Sequence, residues 1–184
     1  MRIIGGTHRG RIIITPKGWD TRPTRGRIRE SVFNIIRNEI PDAAVLDLFA
    51  GSGALGLEAV SRGAKSAVFV DNAKPAREAI QQNIRSLQMT DQTRLLFCGY
   101  AEALRRLQSE KQSFDILFLD PPYLQADTSA LFSQVQKSGV LKPGALWVYE
   151  RAKRNAFAPA CLRVVDERSY GDTSVVFMKV LSEA

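Results

Sequence analysis

Nearly continuous short apolar runs alternate with longer amphipathic segments from residue 44 onward. Such runs are typical of parallel strands that are buried on both faces of a sheet. The segments between them repeat apolar positions every three to four residues, as helices that cover a sheet do. We predict strands over residues 44–49, 66–70, 94–97, 114–119 and 145–149, a helix that ends near residue 62, and helices over residues 73–88, 101–109 and 128–138.

Both ends of the chain are predicted to add antiparallel hairpins. Near the start, Arg2–Ile4 and Arg11–Thr15 are β-rich and flank a segment with three glycines. A helix from Thr24 to about residue 38 follows, with apolar residues at helical spacing. At the other end, residues 162–167 and 174–180 flank a turn. The predicted fold is α/β: a doubly wound, mostly parallel sheet with a C-terminal antiparallel hairpin and an N-terminal β-hairpin and helix extension.

Positive charge is concentrated at the front of the chain. The protein has 184 residues and a net charge of +7, and residues 1–40 hold nine Lys and Arg residues against three acidic ones. We therefore divide the chain into a basic extension, residues 1–40, and a near-neutral domain, residues 41–184. Because arginine binds phosphate groups through paired donors, the extension favours a polyanionic partner such as RNA. Charge that only keeps the protein in solution is the alternative.

Composition argues against several classes of protein. No apolar run reaches the roughly 20 residues of a membrane-spanning helix, and the first residues lack the apolar core of a signal peptide. Cys98 and Cys161 lie far apart in apolar surroundings, so we expect reduced, buried thiols in a cytoplasmic protein. Because the chain has one histidine, His8, and no cluster of Cys and His, we expect no metal site.

The turn after the first predicted strand is a candidate nucleotide site. Residues 51–56 read Gly-Ser-Gly-Ala-Leu-Gly, and Asp71 ends the second strand 20 residues beyond Gly51. This is the dinucleotide fingerprint, in which the acid binds ribose hydroxyls. Asp47, however, would repel a dinucleotide's pyrophosphate. It suits the ammonium group of S-adenosylmethionine, so the D-x-F-x-G-x-G pattern favours a class I methyltransferase with a Rossmann-like sheet over a dehydrogenase.

A second motif, Asp120-Pro121-Pro122-Tyr123, follows the fourth predicted strand. The two prolines stiffen the backbone and leave their carbonyl groups as acceptors. Asp120 and a proline carbonyl can together accept both hydrogens of an exocyclic amine, and Tyr123 offers a ring on which a base can stack. The motif therefore predicts methylation of an amino group on adenine, cytosine or guanine.

With both motifs in place, the chain resembles the RsmD family of bacterial 16S rRNA guanine-N2 methyltransferases. The resemblance covers nearly the whole length and includes residues 1–6, 9–11, 22–24, 27–30, 33–34, 45–63, 114–123 and 170–173. It implies transfer of a methyl group from S-adenosylmethionine to N2 of the guanine at position 966, which leaves S-adenosylhomocysteine. It also implies a substrate within the small ribosomal subunit or an assembly intermediate. We expect a cytoplasmic monomer that acts without a metal or a membrane.

The motifs, the charge of the extension and the resemblance together assign roles to residues. The catalytic set is the Asp120–Tyr123 motif. The cofactor set is Asp47, Phe49, Gly51, Ser52, Gly53, Asp71, Asn72, Gly99, Tyr100 and Thr24. The set expected to contact RNA is Arg9, Arg11, Arg22 and Arg25, although Arg25 can instead serve the cofactor beside Thr24. Tyr100 stands where the family usually has an Asp near the cofactor's adenine amine.

Other functions stay open at this stage. A DNA adenine-N6 methyltransferase, or another nucleic-acid amino-methyltransferase, would share the Asp-Pro-Pro-Tyr motif. The chain leaves no room for the separate target-recognition domain that a DNA enzyme needs. A non-enzymatic RNA-binding module would explain the basic extension but not Asp47 and Asp120.

Overall fold

The computed structural model describes residues 1–16, 23–121, 128–153 and 162–180. Within these ranges the apolar runs form one seven-stranded sheet. The strands are β1 (Ala44–Leu48), β2 (Ser66–Asp71), β3 (Thr93–Phe97), β4 (Phe114–Leu119), β5 (Leu141–Ala152), β6 (Leu162–Tyr170) and β7 (Thr173–Val180). Their order across the sheet is β3-β2-β1-β4-β5-β7-β6. The first five strands are parallel, and β7 pairs with β5 and β6 in the antiparallel sense.

Helices cover both faces of this sheet. They are α1 (Pro23–Ile35), α2 (Ala54–Ser61), α3 (Lys74–Leu87), α4 (Tyr100–Ser109) and α5 (Thr128–Lys137). Helices α1, α2 and α3 pack against the face that carries Phe69, Phe118 and Val148, whereas α4 and α5 pack against the face that carries Leu117 and Trp147. Because successive strand residues point to opposite faces, one apolar run serves both cores. The predicted doubly wound sheet is confirmed.

Three elements differ clearly in length from their prediction, and one of them is β6, which extends to Tyr170 instead of residue 167. The apolar run predicted a strand over residues 145–149, but β5 is 12 residues long. Its polar end, up to Ala152 opposite Thr173, is a strand because it bonds to β7, and the sequence carries no apolar signal there. Helix α1 ends at Ile35 instead of near residue 38. The chain turns there, with the Glu39 N–H donating to the Ile36 carbonyl, and this buries Ile36 and Ile40.

The first residues form a short hairpin, as predicted in outline. A single antiparallel bridge joins Arg2 to Ile12, and the Ile3 N–H donates to the Arg11 carbonyl at 3.0 Å. Ile3 and Ile13 are buried in the same hydrophobic core as α1, α2 and α3. The boundary at residue 40 stays a prediction, and the hairpin and α1 share their core with the sheet.

A buried carboxylate on α2 fastens the hairpin to the rest of the protein. Glu58 accepts the backbone N–H groups of Ile4 at 2.8 Å and Gly5 at 2.7 Å. Arg62 Nε donates to it at 2.7 Å, and Arg29 Nε lies 3.6 Å from its other oxygen. A charge without water needs donors and an opposite charge to be stable. The hairpin supplies two of the donors, so its position is fixed by specific bonds.

The expectation of two buried thiols is wrong for Cys98. This residue is only half-buried, because it follows β3 at the edge of the sheet, and it forms no disulfide. Cys161 lies outside the described residues. None of the helices in the described ranges is long and apolar enough to cross a membrane. Across the same ranges, no group of three or more His, Cys, Asp and Glu side chains is arranged to hold a metal ion.

Candidate functional site

The glycine-rich loop joins β1 to α2 at the carboxyl edge of the sheet. Phe49, Gly51 and Gly53 have φ values of 68°, 59° and 76°, which lie in the left-handed region that glycine enters at little cost. Gly56 has a different role, because a Cβ atom there would lie 2.3 Å from the Phe69 ring. Glycine at this position lets α2 approach β2 closely, and this fixes the direction in which the helix leaves the loop.

Asp47 lies on β1, beneath this loop. Its side chain is buried, and Oδ2 accepts the Gly56 N–H at 3.0 Å. Burial disfavours the charged carboxylate and raises the pKa of Asp47 to about 7, while the Gly56 hydrogen bond opposes the rise and the charges of Asp120 and Asp71 add to it. A cationic group on a ligand would favour the ionised form of Asp47, whereas a phosphate would oppose it.

Asp71 holds the other side of the loop from the end of β2. One carboxylate oxygen accepts the Gly51 N–H at 2.9 Å, and the other accepts the Ala73 N–H at 2.8 Å. Each oxygen of a carboxylate can accept more than one hydrogen bond, so Asp71 retains capacity for ligand hydroxyls. The two backbone donors fix its orientation at the position that the sequence pattern assigns to ribose.

A cavity of about 400 Å³ opens beside these carboxylates. Its volume is that of a small-molecule site, and it lies at the carboxyl ends of parallel strands, where ligands bind in such sheets. The predicted residues that line it are Asp47, Phe49, Gly51, Ser52, Asp71, Asn72, Asp120 and Pro121. The structure thus brings much of the predicted cofactor set together with the start of the predicted catalytic motif.

Three residues of the predicted cofactor set do not line this cavity. Gly53 ends the loop and packs against the hydrophobic core, where a Cβ atom would be 3.3 Å from the Phe69 ring. Tyr100 begins α4 and packs against Phe49, with ring centroids 5.6 Å apart and a 48° angle between the planes. Gly99 precedes it in extended backbone. Contact of Tyr100 or Gly99 with a cofactor stays a prediction.

Five other predicted residues have no described side chain. Pro122, Tyr123 and Arg22 lie outside the described residues. Thr24 and Arg25 lie at the start of α1, where the backbone alone is described. The roles of these five residues therefore stay predictions.

The second half of the cavity is formed by the ends of β4 and β5. Asp120 and Pro121 follow β4 directly and line the cavity. Leu119 of β4 is level with Tyr149 of β5, so Glu150 comes level with Asp120 on the neighbouring strand. Glu150 also lines the cavity. No motif marks this residue, since a single acid at the end of a strand has no spacing by which to recognise it.

The arginines of the basic extension have contrasting positions. Arg9 and Arg11 are exposed on the hairpin, and Arg11 donates to the Ser86 carbonyl of α3 at 2.8 Å. Arg29 is 5% exposed, donates to the Arg2 carbonyl at 2.6 Å and lines the cavity. Among the described residues of the extension, Arg9 and Arg11 thus carry exposed positive charge, whereas Arg29 is a buried cation that stabilises the fold.

Asn83 of α3 connects the hairpin segment to the glycine loop. It is buried, and Oδ1 accepts the Ile14 N–H at 2.8 Å. Its Nδ2 donates to the carbonyls of Ile14 and Ser52, both at 2.9 Å. The one signal of this role in the sequence is a polar residue on the apolar stripe of α3. A single amide therefore joins the N-terminal segment to the cavity wall.

Comparison with known proteins gives consistent results. The family model described as conserved hypothetical protein 95 matches residues 1–179. The chain is 32% identical to ribosomal RNA small subunit methyltransferase D of Haemophilus influenzae over 95% of this chain and 91% of that protein. It is 34% identical to the Escherichia coli protein of the same name over 84% and 76%. The solved structure of Escherichia coli YhhF has a TM-score of 0.86 at 30% identity and covers 100% of this chain; the match takes in 99% of YhhF.

A more distant solved structure resembles the chain in fold alone. The O-methyltransferase of Bacillus cereus in complex with S-adenosylhomocysteine has a TM-score of 0.68 at 12% identity. The match covers 90% of this chain and 84% of that one. It shows that the order of strands and helices is shared with a methyltransferase of unrelated sequence.

Proposed function

The chain belongs to the RsmD family, and on this premise we propose that it methylates the exocyclic N2 amine of a guanine in 16S rRNA, with S-adenosylmethionine as the methyl donor. The proposed nucleotide is the family's target at position 966. The observation that carries the proposal is the convergence of Asp47, Asp71 and Asp120 on one cavity beside the glycine loop. The names of the relatives support rRNA as the class of substrate, and the carboxylates in the cavity support transfer of a methyl group from S-adenosylmethionine to an amine.

The residues at the glycine loop fit S-adenosylmethionine. Its ammonium group suits Asp47, because a cation favours the ionised form of a buried carboxylate whose pKa is raised to about 7. Its ribose hydroxyls can donate to Asp71, which two backbone N–H groups already orient. It has no phosphate that Asp47 would repel. When bound, this cofactor supplies a methyl group that is activated by its attachment to a positively charged sulfur.

The residues after β4 fit a planar amine. Asp120 can accept one hydrogen of the amine, and a carbonyl of the proline pair can accept the other, which directs the nitrogen lone pair toward the methyl group. Positive charge develops on this nitrogen during transfer, so a fixed carboxylate stabilises the transition state. Asp120 also accepts a hydrogen bond from the proton that the methylated nitrogen must lose before the product amine is neutral. Tyr123 is proposed to stack on the base.

We place the rRNA against the basic hairpin. Arg9 and Arg11 are exposed there, and Arg22 and Arg25 follow in the same basic segment. Contacts of this kind are made with phosphates and position the RNA without reading its sequence. The proposed partner is the small ribosomal subunit or an assembly intermediate in the cytoplasm, and the protein acts as a monomer.

The test is methylation of small subunits from a strain that lacks the corresponding enzyme. The purified protein and isotope-labelled S-adenosylmethionine are added, and the labelled nucleotide is mapped by nuclease digestion and mass spectrometry. We expect one N2-methylguanosine at position 966, and labelling that is at least about 100-fold slower with the Asp120→Asn variant. Glu102→Gln, an exposed change on α4, serves as the matched control and should label fully.

Free 16S rRNA and free DNA are tested beside the subunits. Label in DNA as N6-methyladenine would contradict the proposal and favour the DNA methyltransferase alternative. Label in the rRNA at a base other than guanine would contradict the proposed target while leaving rRNA methylation intact.

A further inference from the structure

Glu150 lines the cavity but has no role in the reaction proposed above. Phe118 of β4 is level with Val148 of β5, and both side chains point to the face that α1, α2 and α3 cover. Because side chains alternate along a strand, Asp120 and Glu150, two residues further on, belong to that same face. Neighbouring strands lie about 4.8 Å apart. The sheet thus places two carboxylates side by side at one end of the cavity.

The other two carboxylates of the cavity lie beside the glycine loop. Asp47 accepts the N–H of Gly56 at the start of α2, and Asp71 accepts the N–H groups of Gly51 in the loop and of Ala73 before α3. Glu150 lies on the opposite side, beyond Asp120 in the order of strands. Because the cofactor is proposed to bind beside the glycine loop, Asp120 and Glu150 belong by their position to the substrate side of the cavity.

Two apolar side chains line the cavity next to Glu150. Val148 precedes it by two residues on the same face, and Val175 of β7 lies directly opposite it in the β5–β7 register. Both valines line the cavity. A hydrogen bond made against apolar side chains is stronger than one made in water, and a mismatched pair of polar groups there is correspondingly costly.

Guanine presents two neighbouring donors on its Watson–Crick edge, the N2 amine and the N1–H. Adenine and cytosine present an acceptor nitrogen beside their amine. Two adjacent carboxylates can accept from both donors of guanine, whereas one of them would face a lone pair on adenine or cytosine. We propose that Glu150 accepts the N1–H of the target guanine while Asp120 accepts from N2, so that Glu150 selects guanine. This inference rests on the proposed function.

The test separates base selection from methyl transfer. The target guanine is replaced by 2-aminopurine, which keeps the N2 amine but has an acceptor at N1, in 16S rRNA ligated from fragments and assembled into small subunits. We expect the wild-type protein to prefer guanine by at least about 100-fold in kcat/KM. Glu150→Gln should slow methylation of guanine by about 10- to 100-fold. It should also bring the guanine to 2-aminopurine ratio within about tenfold, because the glutamine amide can donate to N1 of 2-aminopurine.

Three further variants control for folding and charge. Glu150→Asp keeps the carboxylate and should retain the preference for guanine. Glu150→Ala removes both acceptor oxygens and should lower the preference, so it provides the test if Glu150→Gln does not fold. Glu102→Gln should leave the preference unchanged. Calorimetry should give the same affinity for S-adenosylhomocysteine in all of these proteins, because Glu150 acts on the base.

Three outcomes would overturn the assignment. An unchanged guanine to 2-aminopurine ratio in Glu150→Gln would show that Glu150 does not face N1. A loss of S-adenosylhomocysteine affinity as large as the loss of rate would assign Glu150 to the cofactor. If the wild-type protein methylated neither base, the proposed function would fail, and the inference with it. That result is distinguishable because it also appears in the Glu102→Gln control.

Discussion

The two halves of the cavity come from different parts of the fold. In the cofactor half, defined by Asp47, Asp71 and the glycine loop, backbone N–H groups of Gly51, Gly56 and Ala73 bind the carboxylates at 2.8–3.0 Å. In the substrate half, defined by Asp120 and Glu150, the register of β4 and β5 places the two residues side by side. The first pair belongs to the connections that follow β1 and β2, and the second pair to the ends of β4 and β5. A substitution in one half should leave the other half in place.

Asp120→Asn should have the largest effect, and only on the substrate half. Asparagine keeps an acceptor oxygen but has no negative charge, so it stabilises the positive charge that develops on the amine poorly. We expect the rate of methyl transfer to fall by about 100- to 1,000-fold. Affinity for S-adenosylhomocysteine, measured by calorimetry, should stay within about twofold. An equally large loss of affinity for S-adenosylhomocysteine would mean that Asp120 also contributes to the cofactor half.

Asp47→Asn should weaken binding in the cofactor half. Asparagine can still accept the Gly56 N–H but has no charge for an ammonium group, so we expect S-adenosylhomocysteine to bind about 10- to 100-fold more weakly. Asp42→Asn, an exposed change before β1, is the matched control. Equal affinities in calorimetry for Asp47→Asn and wild type would remove Asp47 from the cofactor site.

The pH dependence of cofactor affinity sharpens the same comparison. The pKa of Asp47 is raised to about 7 in the free protein, so lowering the pH below 7 protonates it. Binding of an ammonium group requires the ionised form, so affinity should fall toward tenfold per pH unit below about 7 and level off above it. Titrations of S-adenosylhomocysteine between pH 5.5 and 8.5, run in parallel on Asp47→Asn, provide the measurement. A profile that has the same slope in both proteins would assign the pH dependence to another group.

The smallest effects are expected at the hairpin, outside both halves. Arg9→Ala and Arg11→Ala should each weaken rRNA binding a few-fold and reduce its salt dependence by about one unit of slope, with no change in cofactor affinity. Arg105→Ala, on α4, is the control. Single substitutions are preferable to truncation, because Asn83 joins Ile14 to the Ser52 carbonyl and removal of the hairpin would disturb the cavity wall. A salt slope equal to that of wild type would show that the hairpin does not contact phosphates.

The fold and the arrangement of Asp47 and Asp71 around the glycine loop could be predicted because their signals are local. The apolar runs of β1 and β4 identify buried strands without knowledge of their neighbours. Asp47, Gly51 and Asp71 lie on one continuous stretch of strand, turn, helix and strand, so their spacing can be recognised in the sequence. The same reasoning underestimated β5, whose polar end becomes a strand only through its pairing with β7.

The residues that sequence patterns missed all act through contacts between distant segments. Glu58 holds backbone N–H groups more than 50 positions away, and Asn83 bonds Ile14 across 69 positions. Glu150 reaches the cavity only because the sheet places β5 beside β4. Arg29 counts toward the charge of the basic extension, but it pairs with Glu58 and is buried. Such contacts leave no fixed spacing along the chain, so only the folded arrangement shows them.

The most direct test of the two-half account is the single-turnover rate of methyl transfer to small subunits at increasing S-adenosylmethionine. For Asp47→Asn we expect the rate to approach that of the wild-type protein at saturating cofactor, since its defect is in binding. For Asp120→Asn we expect a rate that stays at least about 100-fold lower at every concentration, since its defect is in the transition state. The account would be contradicted if saturating cofactor restored the rate of Asp120→Asn to that of the wild-type protein but did not restore the rate of Asp47→Asn.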